Sequence, residues 1–401
     1  MREIGFVSLF SGAGGLDIGL EDAGFTCLYA SDIDKSAYAT LAVNRDRRSG
    51  HLAQAVVEHA DVSQTKGRDI LSAIGTVRGQ VPLLVGGPPC QSWSSAGHQK
   101  GWEDPRGRLF DDFVRLAGEL DVRWLMFENV RGLLTARGPD GTPGSALNLI
   151  RQKLLNAGFQ TQVKLINAAD YGVPQRRVRL VVFGYRVGDD MPFPDPHKAK
   201  GAAENGWIPM QVALDSVGEL SPDEIIRPNE KLFEQLSLLQ PGTGVKSPGK
   251  RESTRPGGHW GYKQGAFIAD TRIPARTVTA NQQQDWVIDP TRGIRRLCPR
   301  ECSAIQTFPK DWQFVGSRSD QYRLIGNAVP PSLARQIGTA LHKHILEYWD
   351  GQRVLPELVP LEPKLAAAIR YTVQEERRNG ASRRAAPDRR RRATRRLEIA
   401  G

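Results

Sequence analysis

Val81-Pro82-Leu83-Leu84-Val85-Gly86-Gly87-Pro88-Pro89-Cys90-Gln91-Ser92-Trp93-Ser94 carries an apolar run straight into two glycines, two prolines and a cysteine. A short apolar run closed by Gly and Pro reads as a buried strand that ends in a turn. The turn is expected to present Cys90 on a rigid, exposed support. A structural thiol would sit inside the apolar run, where free cysteines usually pack. Cys90 therefore reads as a nucleophile.

The same strand-then-polar pattern recurs on both sides of this stretch. Ile4 to Phe10 is a short apolar strand that leads into Ser11-Gly12-Ala13-Gly14-Gly15 and a helical stretch with Leu16, Ile18 and Leu20. Phe25 to Ala30 closes on Ser31-Asp32-Ile33-Asp34 and is followed by a helix from Lys35 to about Arg47. The strand around Val56-Val57 ends at Asp61, and Trp124 to Phe127 leads into Glu128. Phe159 to Ile166 and Arg179 to Tyr185 complete the series. This alternation predicts an α/β fold with a doubly wound, mostly parallel sheet covered on both faces. Such sheets bind ligands at the carboxyl ends of their strands, where Asp32, Asp61, Cys90 and Glu128 all fall. After Arg186 the alternation is lost and Pro, Gly, Asn and Gln become frequent, which predicts a second, smaller, irregular domain. Helical periodicity is expected to return only after Pro331. The expected division is residues 1–186, the irregular domain 187–290, a return segment 291–350 completing the first domain, and a basic extension 351–401 disordered at its end.

The chain has 401 residues, enough for two domains, and 39% apolar residues to fill both cores. It has no run long and apolar enough to span a membrane, and its start lacks a signal-type segment. Four cysteines (Cys27, Cys90, Cys298, Cys302) do not make a disulfide framework in a chain this long, so a reducing, cytoplasmic location is expected. No metal-binding pattern is found, and Cys298 and Cys302 read as packing residues. The net charge of +11 is uneven: Tyr371 to Gly401 holds ten arginines against four acids, leaving +5 for the body. Such a tail fits either a solvated extension or an arm that grips a polyanion.

Gly12-x-Gly14, after a strand and before a helix, is a turn that brings backbone amides to a ligand. A dinucleotide fingerprint would place a third glycine where Asp17 stands, so a smaller nucleoside without pyrophosphate fits better than NAD. Asp32 is placed to accept from ribose hydroxyls and Asp61 from an exocyclic amine, whereas Asp34 reads as a helix N-cap.

These residues carry a family likeness. Phe10-Ser11-Gly12-Ala13-Gly14-Gly15, Pro88-Pro89-Cys90-Gln91, Asp104 to Phe110, Glu128-Asn129-Val130, Gln175 to Arg179, Arg295 to Glu301 and Gly326-Asn327-Ala328-Val329-Pro330-Pro331 occur in this order. The chain resembles the single-chain prokaryotic DNA (cytosine-5)-methyltransferases of restriction-modification systems from Ile4 to about Trp349. Two departures are small: Cys298 stands where the family often has threonine, and Ile33 where an aromatic often packs on adenine. The resemblance implies a class I, Rossmann-like fold and S-adenosylmethionine as cofactor. By that likeness the cofactor site takes Phe10, Gly12, Gly14, Asp32, Ile33, Asp61, Val62, Pro89, Leu109, Asn327 and Val329.

The resemblance also assigns the chemistry. Cys90 adds to carbon-6 of cytosine, Glu128 holds a proton against N3 with a raised carboxyl pKa, and Arg179 hydrogen-bonds O2. Arg177 belongs to the same catalytic group, supporting the pocket or binding phosphate. No side chain stands out as the acceptor of the carbon-5 proton, and a water is expected. The base must be turned out of the duplex. Gln91 to Gly107 has the composition of a lid over DNA, with Gln91, Ser94, Gln99, Lys100, Arg106 and Arg108 as expected contacts. Residues 187–290 would be the target-recognition domain, reading the major groove through His259 to Gln264 and Arg276 to Gln282. Duplex DNA is the expected partner, a cognate restriction endonuclease an associated one, and the chain a monomer. Three alternatives are a transfer-RNA cytosine methyltransferase, a non-enzymatic DNA-binding relative and a nicotinamide oxidoreductase. The intact Cys90, Glu128 and Arg179 speak against the second, and Asp17 against the third.

Overall fold

The computed structural model describes residues 3–47, 50–89, 105–194, 206–251 and 265–385. Within them, β1 (Ile4–Leu9), β2 (Phe25–Asp32), β3 (Val56–His59), β4 (Leu83–Gly86), β5 (Trp124–Val130), β6 (Gln160–Asn167) and β7 (Val178–Tyr185) make one sheet. Its order is β3-β2-β1-β4-β5-β7-β6. β1 to β5 are parallel, and β7 runs antiparallel between β5 and β6. The mostly parallel, doubly wound expectation holds.

The strands alternate apolar residues to two faces, as a sheet covered on both sides requires. Ile4, Phe6, Leu83, Val85, Trp124, Met126, Val181 and Phe183 share one core with α1 (Gly15–Asp22), α2 (Lys35–Arg45) and α10 (Pro331–Glu347). Val7, Leu9, Leu84, Leu125, Phe127, Leu180 and Val182 share the other with α3 (Gly67–Ala73), α4 (Pro105–Leu120) and α5 (Ser145–Asn156). Helix α1 crosses α10 so closely that a Cβ on Gly19 would lie 2.4 Å from both Ala334 Cβ and the Pro331 carbonyl oxygen.

A second sheet of four strands has the order β11-β10-β9-β8, from β8 (Thr243–Gly244), β9 (Phe267–Ile268), β10 (Trp286–Asp289) and β11 (Gly293–Arg296). It is flanked by α6 (Met210–Val217) and α7 (Glu230–Ser237). The β10–β11 hairpin carries this sheet past residue 290 to Arg296. A small core then joins Met210, Phe267 and Val287 to Cys302, Ile305, Tyr322 and Ile325 across that point. Arg295 braces the junction, donating to both oxygens of buried Glu301 at 2.8 Å and to Asp289 at 2.8 Å.

Helices also form earlier than the periodicity predicts. α8 (Pro299–Ile305) and α9 (Arg318–Asn327) precede Pro331, and α11 (Pro363–Ala385) lies in the basic extension. α8 is only 7 residues long, started by Pro299 and a capping box on Glu301, and α9 divides its buried residues between two cores, Leu324 in one and Tyr322 and Ile325 in the other. Residues 386–401, where disorder was expected, lie outside the described residues. No helix among the described residues is long and apolar enough to cross a membrane.

The α1–α10 crossing gives a paired test. Gly19→Ala should destabilise by about 3 kcal/mol through overpacking. Gly118→Ala, in α4 with open space around its Cβ position, should be neutral or stabilise by up to about 1 kcal/mol. Urea midpoints of the two variants measure the contrast.

Candidate active site

The strand ends collect the polar residues. Asp32 is the last residue of β2, and Asp61 lies two positions past β3. Pro88 and Pro89 follow β4, and Glu128 sits near the end of β5. Cys90, Gln91, Ser94, Gln99 and Lys100 lie outside the described residues, as does the side chain of Arg106. Arg108, in the first turn of α4, is exposed.

Between β1 and α1 the backbone turns through left-handed conformations at Phe10 (φ 56°), Gly12 (φ 57°) and Gly14 (φ 80°). At a residue with a side chain this costs about 1–3 kcal/mol, so Phe10 holds strain at the mouth of the loop. The Gly12 amide donates to Asp32 Oδ2 and the Asp34 amide to Asp32 Oδ1, both at 2.8 Å. Burial raises the Asp32 carboxyl above its ordinary range while these amides pull it back. Asp34 caps α2, accepting from the Ala37 amide at 2.9 Å, as expected of an N-cap. Asp61 Oδ1 accepts from the amide and hydroxyl of Ser63, a local turn that leaves Oδ2 for another donor. The loop is closed from behind by the far end of the chain. A Cβ on Gly15 would lie 2.2 Å from the Val329 carbonyl oxygen, and Trp312 Nε1 donates to the Ala13 carbonyl. Asn327 is exposed beside it, and Val62 and Val329 are buried. Ile33 leaves 59% of its surface open at the same rim, and Leu109 is half-buried on α4.

Glu128 and Arg179 meet because of strand register. Glu128 pairs with Val181 across β5 and β7, so Arg179, two residues away, is its diagonal neighbour on the same face. Arg179 Nε lies 2.6 Å from Glu128 Oε1, with side-chain exposures of 11% and 13%. The Glu128 carboxylate also faces Gly87. Asn129, on the opposite face, donates to the Pro88 carbonyl at 3.1 Å and fixes the turn that leads to Cys90. The sequence pattern had not singled out this last role.

Arg177 is 1% exposed, donating from Nη1 to the Val278 carbonyl (3.2 Å) and from Nη2 to the Gly326 carbonyl (2.8 Å). These contacts agree with the expectation that it supports the pocket, and its burial does not suit a phosphate contact. Arg276 pairs with Asp285 and stacks on Phe267, and Asn281 accepts from the Gln283 amide. Gln282 and Gln283 remain exposed, whereas His259 to Gln264 lie outside the described residues. Cys27, Cys298 and Cys302 are free and buried. Burial pushes the Cys298 thiol up to about 12 and the other two well above their ordinary value, which suits packing and not nucleophilic attack.

This layout of strand ends is matched by comparison with known proteins. Residues 4–343 fit the family model described as C-5 cytosine-specific DNA methylase. The chain belongs to that family. It is 30% identical over 373 residues to Type II methyltransferase M.FnuDI of Fusobacterium nucleatum, covering 88% of this chain and 97% of that one. It is 31% identical over 361 residues to Type II methyltransferase M.NgoPII of Neisseria gonorrhoeae, covering 84% and 95%. Among solved structures, the S. pombe Dnmt2 methyltransferase superposes with a TM-score of 0.60 at 16% identity over 86% of this chain and 99% of that one, a likeness of fold. The chain is accordingly a cytosine-5 DNA methyltransferase, and the transfer-RNA alternative is not favoured.

Asp17 lies fully buried in the first turn of α1, and neither carboxylate oxygen has a well-formed hydrogen bond. Burial raises its pKa to about 7, with the Ser8 hydroxyl pulling the other way. A carboxyl raised on folding stabilises fully below its unfolded value, and that stability is lost as pH rises toward 7. Asp17→Asn removes the loss. Relative to the unmodified protein it should gain roughly 4 kcal/mol between pH 4 and pH 8. Denaturant midpoints at both pH values would show it, and a pH-independent difference would contradict it.

Proposed function

We propose that this methyltransferase adds a methyl group to carbon-5 of a cytosine turned out of duplex DNA, through a transient Cys90–carbon-6 bond. The observation that carries this is the Glu128–Arg179 pair at the end of β5, beside the turn that leads to Cys90. The Cys90 thiolate adds to carbon-6 while Glu128 delivers a proton to N3, and the ring becomes an enamine. Arg179 donates to O2, where negative charge develops. S-adenosylmethionine, when bound, supplies an electrophilic methyl group. Carbon-5 takes that methyl, loses its proton to a water, and the carbon–sulfur bond breaks to free Cys90.

The residues at the glycine loop fit this cofactor. A Cβ on Gly12 would meet no atom of the described residues within 4 Å, which leaves room for a ligand against the loop. Asp32 offers lone pairs to ribose hydroxyls, Asp61 Oδ2 to an adenine amine, and Ile33 an apolar face to the ring. Phe10, Gly14, Val62, Pro89, Leu109, Asn327 and Val329 would complete the pocket.

The region between β7 and β11 would serve as the target-recognition domain, and residues after Arg296 as the return to the catalytic domain. Gln91, Ser94, Gln99, Arg106 and Arg108 would contact DNA around the extruded base. The Type II names of the relatives support a restriction-modification role with a cognate endonuclease; the enzyme would work as a cytoplasmic monomer on the cell's own DNA.

Cys90→Ser should reduce methyl transfer at least about 10³-fold, and Glu128→Gln by about 10²–10⁴-fold. Duplexes containing 5-fluorocytosine should remain joined to Cys90 in the presence of cofactor. No adduct on any duplex sequence would refute the covalent step. Asp32→Ala should raise the KM for cofactor about 10- to 100-fold with a smaller change in kcat.

A further inference from the structure

The family match ends at residue 343, and the chain beyond it is pinned to the catalytic domain along a definite path. Arg123 stacks on the rings of Trp124 and Trp349, and the Val354 amide donates to the Arg186 carbonyl at 2.9 Å. The Glu357 amide donates to Gln160 Oε1 at 2.8 Å, Arg151 donates to the Val359 carbonyl, and Lys164 pairs with Glu362. Strand register fixes the height of these contacts. Trp124 and Gln160 both pair with Tyr185, and Glu128 and Lys164 both pair with Val181. The path therefore rises from the start of β5 to the level of Glu128.

There it becomes α11. Leu365 is buried, and Ala368 and Ile369 are half-buried, against the core that also holds Leu133 and Leu134. Those two leucines belong to the turn Arg131–Thr135, which directly follows Glu128-Asn129-Val130 and which α11 touches. A Cβ on Gly144 would lie 3.0 Å from Ile369, and the Gly144 amide donates to the Ala136 carbonyl at 3.0 Å. Ile369 is thus seated on the residue that closes the turn. Ahead of the turn, Glu128 meets Arg179, and Asn129 holds the Pro88 carbonyl at the approach to Cys90. One short piece of backbone carries both contacts, and the helix packs behind it.

We propose that the first half of α11 is a buttress for the active site: Leu365 and Ile369 are positioning residues that fix the turn after β5 and, through it, Glu128 and the lead-in to Cys90. The proposal rests on the DNA methyltransferase mechanism, which gives that alignment its meaning. A close-packed interior transmits the loss of a side chain as a shift of its neighbours. A displacement of about 1 Å can cost about 10²-fold in rate. The cofactor loop should not feel it. Asp32 stands on β2, three strands from β5, and Leu16, Ile18 and Leu20 of α1 belong to the other core. The signature is a fall in kcat without a fall in cofactor affinity.

The test uses the full chain carrying Leu365→Ala, Ile369→Ala or, as a control, Leu120→Ala. Leu120 is fully buried in the same core, but just before the start of β5. Rates are measured where urea melts show each variant folded. Ile369→Ala removes the less buried side chain and carries the test if Leu365→Ala does not fold. Both α11 variants should lower kcat at saturating duplex about 10-fold or more, with affinity for S-adenosylhomocysteine by calorimetry within about twofold of the unmodified chain. Leu365→Met and Ile369→Val should keep kcat within about twofold, because they keep most of the volume. Hydrogen exchange supplies a readout independent of turnover. Amides of residues 128–136 should exchange about 10-fold faster in the α11 variants and not in Leu120→Ala, while those of residues 25–32 stay unchanged. An unchanged kcat in Ile369→Ala, or an equal loss in Leu120→Ala, would overturn the buttress. Cofactor affinity falling in step with kcat would overturn it too, as a loosening of the whole domain. No methyl transfer by the unmodified chain on any duplex, with the exchange pattern as expected, would defeat the enzymatic reading and leave the buttress standing.

Discussion

Both backbone polar atoms of Val278 are held by side chains from one short lead-in to β7. Gln175 accepts from the amide at 3.0 Å, and Arg177 donates to the carbonyl. Gln175 also donates to Gln306, which donates in turn to the Ile325 and Ala328 carbonyls. Arg177 reaches Gly326, whose missing Cβ leaves room for the Thr279 backbone. The end of the segment before β10, the loop carrying Asn327 and Val329, and the strand carrying Arg179 are thus tied into one buried network. Every bond in it is costly to leave unmade away from water, so the three pieces hold a fixed relation.

Three acids, Asp17 buried and Asp32 and Glu128 partly so, meet the cost of desolvation in different ways. Glu128 is matched by a guanidinium on the neighbouring strand. Asp32 is held by two backbone amides of the turns it bridges. Asp17 has neither, and its proton is retained toward neutral pH instead. A carboxylate held by amides keeps lone pairs free, whereas one matched by a cation is compensated by the charge beside it.

Much of the site was legible in the sequence because parallel strands end on one edge. A run such as Leu83-Leu84-Val85 buried on both faces has no alternation to misread, and its last polar residue marks the rim. Asp32, Asp34 and Glu128 were placed this way. Periodicity could not show that β7 enters the sheet antiparallel, since a fully apolar strand looks alike in either direction. It missed α8 and α9, where caps and tertiary packing outweigh a short helix or one whose buried residues are split between two cores. Arg177 was left between two roles for a related reason: in a basic run, one arginine turns inward and its neighbour by two turns toward Glu128, and only the carbonyls it meets reveal the difference. Asn129 was hidden because its partner is a backbone atom.

The first helix of the chain is covered by nearly the last of the family domain. The close approach of Gly19 to Ala334, and of Gly15 to Val329, joins segments roughly 300 residues apart. Neither the glycine loop nor the face of β1 beneath α1 can settle while the carboxyl-terminal part is still inside the ribosome. During synthesis the amino-terminal half must wait with apolar surface uncovered, which makes this protein a natural client for chaperones. A fragment cut before α10 would lack more than a helix; it would lack the floor on which the glycine loop rests.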